Sequence, residues 1–161
     1  MRDAGETDLP AILEIHNDAI RNETSIWHDD IADLADRRDW WQTRVALGFP
    51  VYVADLDGSV AGYGTFGEFR SNQGYRFSVE HSIYVRASVQ RRGIGSVLLT
   101  RLIAEARRTN KRVMVGGIAA DNTASIALHQ RFGFVETGRM PQVGFKFGRW
   151  LDLVLMQKLL V

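Results

Sequence analysis

The chain contains no cysteine. That excludes disulfides, cysteine-ligated metals and a thiol nucleophile, and it permits a reducing compartment without demanding one. A charge excess is missing too. Lys and Arg number 20 against 19 Asp and Glu, a formal net charge of +1, so the chain carries no electrostatic footprint for nucleic acid. The basic cluster Arg107, Arg108, Lys111 and Arg112 falls at the end of a helical pattern, where cations suit the helix dipole. No apolar run approaches the length of a membrane span, and Met1–Glu6 is too polar for the core of a signal peptide. What is present is ordinary globular composition, 45% hydrophobic and 24% charged over 161 residues. These observations predict one domain over 1–161, cytoplasmic, with neither a nucleic-acid nor a membrane partner.

The chain is organised around Ser78–Arg108. Val79–Val85 alternates and is rich in β-branched and aromatic residues, which predicts a strand. From Gly93 onward, apolar residues recur at Ile94, Leu98, Leu102 and Ala106, the i, i+4 face of a buried helix. Between them lies Gln90-Arg91-Arg92-Gly93-Ile94-Gly95. Such a turn requires positive φ or close backbone approach, which glycine accepts without a Cβ penalty. A strand, a glycine turn and a helix start can converge backbone N–H groups on a phosphate, with Arg91 and Arg92 adding charge. A purely structural turn would read the same way. The P-loop is excluded because no Gly-Lys-Ser/Thr follows, and the dinucleotide fingerprint because its third glycine position is Leu98.

The rest of the chain reads in order as follows. Arg2–Ala4 is a short edge strand, and Thr7 or Asp8 caps a helix to about Arg21 with Pro10 in its first turn. His16 lies on that helix's apolar face and reads as a packed histidine. Asn22–Asp30 is a loop bearing Trp27, which either anchors the loop or lines a pocket. A second helix is expected over Ile31–Leu47 with Leu34, Trp41 and Val45 inward, stopped by Pro50. Pro50–Leu56, Asp57-Gly58 and Val60–Phe66 form a hairpin signal. A polar loop, Gly67–Arg76, carries Arg70 and Arg76. Val113–Ala119 fits an interior strand parallel to its predecessor. A helix capped by Asp121 or Asn122 and ended by Gly133 follows. Strands over Phe134–Gln142 and Trp150–Leu160 flank a connection, Val143–Arg149.

The pattern Gln/Arg-x-x-Gly-x-Gly/Ala after a strand resembles the acetyl-CoA pyrophosphate loop of the GNAT superfamily of N-acetyltransferases. Val79-Glu80-His81-Ser82-Ile83-Tyr84-Val85 narrows the likeness to the phosphinothricin and methionine sulfoximine (methionine sulfone) acetyltransferases. Met140-Pro141-Gln142-Val143-Gly144 and Lys146–Asp152 resemble a mark of the same group. The element order coincides with that fold over nearly the whole chain. The resemblance implies an α/β protein with a central mixed, mostly antiparallel sheet. It also implies a splay after the fourth strand and helices on both faces.

It further implies acetyl-CoA as donor, no metal, a homodimer, and transfer to the α-amine of a small amino acid by direct attack. Such an enzyme would serve detoxification. Acetylation of protein N-termini or lysines, and a non-catalytic CoA-binding module, stay open as alternatives. Glu80 stands in an otherwise apolar strand, where burial raises a carboxyl pKa, and the family's Glu at this position is the proposed base. Asn122, Ser125 and His129, spaced i, i+3, i+7, share one helix side. They suggest a polar wall to a cofactor channel, with His129 where the superfamily often has a thiolate-protonating Tyr. Cofactor contacts are expected from Ile83, Tyr84, Val85, Gln90, Arg91, Arg92, Gly93, Ile94, Gly95, Ser96, Asn122 and Ser125. Substrate contacts are expected from Trp27, Arg70, Asn72, Gly74, Arg76, Val79 and His81. His81 follows Glu80, so in a regular strand it faces the other side of the sheet.

Overall fold

The computed structural model describes residues 1–160. Apart from short 3-10 turns, the chain runs β1 (Arg2–Asp3), α1 (Leu9–Asn22), α2 (Leu34–Ala46), β2 (Val51–Leu56), β3 (Ser59–Glu68) and β4 (Ser78–Val85). It continues with α3 (Ile94–Arg108), β5 (Val113–Ala119), α4 (Thr123–Arg131), β6 (Val135–Lys146) and β7 (Arg149–Leu159). The strands form one sheet in the order β1-β2-β3-β4-β5-β7-β6. Among the described residues only β4 and β5 pair in parallel; every other neighbour is antiparallel. A crossover through α3 makes that single parallel pair possible. The sheet class implied by the sequence is the one observed.

The two faces are covered by different helices. Leu98, Leu99, Leu102 and Ala106 of α3 are buried against Phe66, Val79, Met114, Val154 and Met156. Each fully buried leucine there contributes about 1.5–3 kcal/mol, so Leu102→Ala would leave a cavity costing roughly 2–5 kcal/mol. Val79, expected at the substrate, has 0% exposure inside this core and is not part of the lining of the cleft that opens between β4 and β5. On the other face, Leu9, Ile12 and Ile15 of α1 cover Val51, Val53 and Tyr63. His16 is a packed histidine, as read: its Nδ1 lies 3.1 Å from the Tyr63 hydroxyl, and burial lowers its pKa to about 4.

The second helix departs from expectation. It starts at Leu34, capped by Asp33, whose side chain accepts from Asp36 N while Asp36 answers to Asp33 N. Leu34 and Val45 are exposed, and Trp40 and Trp41 are the residues that pack on the α1-side core. The reason is the register of that face: Arg37, Trp40, Trp41 and Arg44 stand i, i+3, i+4, i+7, and the arginine stems lie along the protein. The helix ends before Pro50, because Gly48 adopts φ +73 and turns the chain out.

The last third also differs. Rather than a glycine-rich connection, Val143–Lys146 continues β6 as far as a two-residue turn at Phe147 and Gly148, with φ 51 and 72. A register shift between Met140 and Gly144 absorbs Pro141 and the left-handed Gln142, whose N–H donates to Asp152. Proline is tolerated here because β6 is the sheet edge.

Candidate active site

Parallel pairing between β4 and β5 covers only Ser78–Val113, Val79–Met114 and Glu80–Val115. Beyond this point β4 stays paired with β3 to Val85, and β5 stays paired with β7 to Ala119. From His81 and Gly116 onward the two strands therefore diverge. Their facing backbone edges open onto a cleft of about 590 Å³, with α3 and α4 forming its other walls.

At one end of the cleft is the glycine turn. Gly93 takes φ +85 as the N-cap of α3, and Arg91 before it takes φ +63. No side chain caps this helix, so the N–H groups of its first turn, at Ile94, Gly95 and Ser96, lack helical partners. A free helix N-terminus with Arg91 beside it is a site for an anion. Gly95 lies inside the helix, where a Cβ would stand 3.3 Å from Leu128 of α4, so its smallness sets the approach of the two helices. Arg92 is exposed and forms no part of the lining. Gln90 donates to Glu23 at 2.8 Å and ties the turn to the end of α1.

The wall from α4 holds Asn122, Ser125 and His129, as their spacing predicted. Asn122 is also the helix cap, accepting from Ser125 N at 3.0 Å. His129 is 5% exposed and His81 6%. Their Nε2 atoms lie 2.8 Å apart. His81 Nδ1 meets the Val115 carbonyl at 2.8 Å, and His129 Nδ1 meets the Ser125 carbonyl at 2.7 Å. The pair stands at the fork where the parallel ladder ends. A Cβ on Gly116 would come within 3.0 Å of His81 Cε1 and 3.4 Å of His129 Nε2, so glycine makes the room. Desolvation is the largest influence on both rings and pulls both pKa values down.

Glu80 projects from the opposite face of the sheet. A Cβ on Gly117 would stand 3.3 Å from its Oε1, so the second glycine of β5 clears space for the carboxylate as the first does for the histidines. Glu80 retains solvent contact. Loss of hydration nevertheless raises its pKa, and the Arg70 guanidinium acts weakly the other way. Tyr84 lies on this face too, beside Tyr63 with ring centroids 5.1 Å apart, and burial raises its phenol pKa. Ile83, Tyr84 and Val85 all line the cleft.

The substrate-side residues expected from the sequence are divided by the fold. Arg70 stacks on Phe69 and is felt by Glu80. Arg76 stacks on Phe77 at 4.6 Å and lines a separate depression of about 250 Å³ with Lys111, Thr109 and Phe66. Asn72 and Gly74 are exposed in the loop between β3 and β4, where Asn72 O accepts from Tyr75 N. His81, expected at the substrate, faces His129 on the α3/α4 side instead, because strand alternation separates it from Glu80. Trp27 lies against Gly144 of β6 and donates Nε1–H to Thr24 O. Its loop is held by a residue whose role the sequence did not disclose. Lys146 is 1% exposed, and its ammonium donates to the carbonyls of Glu23 and Ile26. Gly116-Gly117 was the other unread feature; a glycine pair inside an apolar strand is a recognisable sign of close approach.

A sheet splayed at its one parallel pair, an uncapped helix N-terminus at one end of the opening and a carboxylate at the fork define a group-transfer enzyme with an anionic carrier substrate. The chain belongs to the acetyltransferase (GNAT) family, whose sequence profile matches residues 10–134. It is 51% identical over 158 residues to the L-methionine sulfoximine/L-methionine sulfone acetyltransferase of Pseudomonas aeruginosa, covering 98% of this chain and 92% of that one. An acetyltransferase structure from Salmonella typhimurium, described with its cofactor acetyl-CoA, superposes with a TM-score of 0.97 at 50% identity over 99% of this chain and 92% of that one. A ribosomal-protein-alanine N-acetyltransferase structure from Brucella melitensis gives 0.96 at 50% identity, covering 98% of each.

Proposed function

We propose that this chain transfers acetyl from acetyl-CoA to the α-amine of a small amino acid of the methionine sulfoximine, methionine sulfone or phosphinothricin kind, within one ternary complex. The observation that carries the reading is the placement of Glu80 at the fork, over Gly117, with Arg70 acting on the same carboxylate. Acetyl-CoA supplies an acyl group already activated as a thioester, so no covalent enzyme intermediate is required. The pyrophosphate fits the free N–H groups of α3 beside Arg91. The pantetheine amides fit the β4 edge at Ile83–Val85, which lacks a ladder partner on the β5 side.

Within that frame the residues divide the work. Glu80, its pKa raised by desolvation, takes the proton of the substrate ammonium directly or through water. Backbone N–H groups of the diverged β4 edge polarise the thioester carbonyl. Arg70 holds the substrate carboxylate, and Trp27, fixed against Gly144, covers the side chain. His129 holds a proton at the far side of the cleft for the departing thiolate. Orientation in such a complex supplies on the order of 7–11 kcal/mol in favourable cases.

The acting unit is the whole chain as a single domain, in the cytoplasm, where acetyl-CoA is made. Acetylation removes the ammonium by which amino-acid analogues are recognised, which fits detoxification. A homodimer is supported by the exposed Met140, Val143, Phe145, Phe147 and Trp150 on the β6–β7 hairpin; light scattering showing a monomer at all concentrations would refute it. The substrate is tested by thiol release with methionine sulfoximine, its carboxamide and a peptide beginning with alanine. The free amino acid is expected to turn over best. Faster turnover of the peptide would overturn the assignment.

A further inference from the structure

The two histidines at the fork pose a problem in proton counting. Both Nδ1 atoms lie within hydrogen-bond distance of carbonyl oxygens, Val115 at 2.8 Å and Ser125 at 2.7 Å. A carbonyl oxygen has only lone pairs to offer, so each Nδ1 must carry hydrogen. Two neutral imidazoles in that state would point bare Nε2 lone pairs at one another across 2.8 Å. That contact is attractive only with a proton on it. If the pair instead stays neutral, one ring must reverse its tautomer and set a bare Nδ1 against a carbonyl.

We propose that His81 and His129 act as one proton-holding unit. A single proton lies between their Nε2 atoms, and His81 thereby sets the tautomer and charge with which His129 faces the cleft. With both carbonyl bonds made, the unit holds three ring protons and one positive charge. His81 is then a positioning residue, since it touches His129 and the fork rather than the substrate amine. It occupies the Nε2 edge of His129, which leaves Nδ1 as the edge that can give up a proton. That edge lies beside Ser125, whose hydroxyl is 3.4 Å away and which also lines the cleft.

The proton account closes. When the C–S bond breaks, its electron pair passes to sulfur, and a proton from His129 Nδ1, directly or through the Ser125 hydroxyl, gives the thiol. The unit falls from one positive charge to neutral. The substrate nitrogen sheds two protons on going from ammonium to amide, one to Glu80 before attack and one to solvent as the amide forms. One of them is restored to the unit through solvent between turnovers, and the net release is one proton per turnover. The surroundings do not neutralise the unit. Phe134 packs on both rings, with centroids 5.4 Å from His81 and 5.0 Å from His129. The charged groups on the packed elements are Arg131 of α4 and, on β7, Lys158, which donates to Phe132 O, Asp152, which accepts from Gln142 N, and Arg149, which pairs with Asp121. Across the cleft stand Arg91 and Glu23, and Glu80 is on the other sheet face. Desolvation, the largest influence on both rings, and the repulsion His81 feels from His129 oppose the charge, while carbonyl bonding favours it. A proton shared across the 2.8 Å Nε2 contact belongs to the pair, so the two rings titrate together.

This inference rests on the reading of His129 as the thiolate's proton donor, and the test separates the two. Histidine ¹⁵N spectra of the free enzyme should show one titration midpoint common to both rings, with hydrogen-bond coupling between the two Nε2 nuclei. Separate midpoints without coupling would overturn the proposal. His81→Gln keeps a polar partner at the fork. It should change the His129 tautomer signature and shift the basic limb of kcat to lower pH. It should also lower kcat about tenfold with the KM for acetyl-CoA within about twofold. Unchanged His129 signals and kcat in a folded His81→Gln enzyme would overturn it too. Should that variant fail to fold, the spectrum of the unsubstituted enzyme decides. A His129→Phe enzyme with wild-type kcat would remove the donor role alone, because the spectrum judges the shared proton without turnover.

Discussion

Glu80 and His81 are consecutive in β4 and live in different chemical worlds. One keeps solvent contact on the α1/α2 face with Arg70 nearby, and the other is 6% exposed between α4 and β5. Strand alternation alone creates this division. In the proposed mechanism the fork uses both sides: a proton acceptor on the face where the amine arrives, and a proton holder on the face where the carrier lies. Two glycines of β5 repeat the pattern, Gly117 under Glu80 and Gly116 under the histidines. Placing the proposed base and the histidine that holds the proposed acid on opposite faces of one strand keeps base and acid from neutralising each other.

The sharpest way to break the comparison is Glu80→Gln, which removes basicity and keeps shape. It should lower kcat about a hundredfold or more with little change in acetyl-CoA affinity. The raised pKa of Glu80 sets the sign of the pH dependence. The base must be ionised to act, so activity rises with pH through a midpoint above the ordinary carboxylate range, and the Gln variant should lose that limb. Wild-type kcat at neutral pH would remove Glu80 as base.

Next in size is the arginine pair. Arg70→Ala should raise the amino-acid KM by roughly tenfold or more, the loss of a charge-assisted hydrogen bond being worth about 1.5–3 kcal/mol. Arg76→Ala should leave that KM unchanged, because Arg76 lines the separate depression. Equal effects would show that the two arginines share one site.

The glycines give a matched third and fourth test. Gly116→Ala places a Cβ 3.0 Å from a ring held by two hydrogen bonds. The neighbours there cannot yield freely, so a cost of about 1–3 kcal/mol is expected in denaturant unfolding. Gly117→Ala meets the free end of a flexible carboxylate at 3.3 Å and should cost less than about 1 kcal/mol, moving the pH midpoint of Glu80 more than stability. The reverse order of destabilisation would refute the two-faced picture.

Much of this site was readable one residue at a time. Gly93 announced a left-handed turn, Asn122 a cap, Asp57-Gly58 a hairpin and Glu80 a carboxylate inside an apolar strand, and each is where local rules put it. These features depend on neighbours in sequence. The misreadings share the opposite character. Val79 looked like part of a binding motif and is core, because α3 folds back over it. Arg76 looked like the twin of Arg70, but the 3-10 turn Gln73–Tyr75 separates them. Lys146 looked like part of a loop, yet it is buried against carbonyls more than a hundred residues earlier, at Glu23 and Ile26.

By itself the sequence determined the element order, the glycine turn into α3, the alternation that sends Glu80 and His81 apart, and the family resemblance. Period and turn chemistry are properties of a few adjacent residues, so they survive without the fold. Tertiary structure alone decided that the parallel ladder stops after Glu80–Val115 and that Gly116 and Gly117 lie under opposite faces of the fork. It alone brought His81 and His129, 48 residues apart, to an Nε2 separation of 2.8 Å. The physical reason is that a contact between distant segments depends on how two helices and a splayed sheet pack together. No local pattern encodes that packing, which is set by the whole core at once.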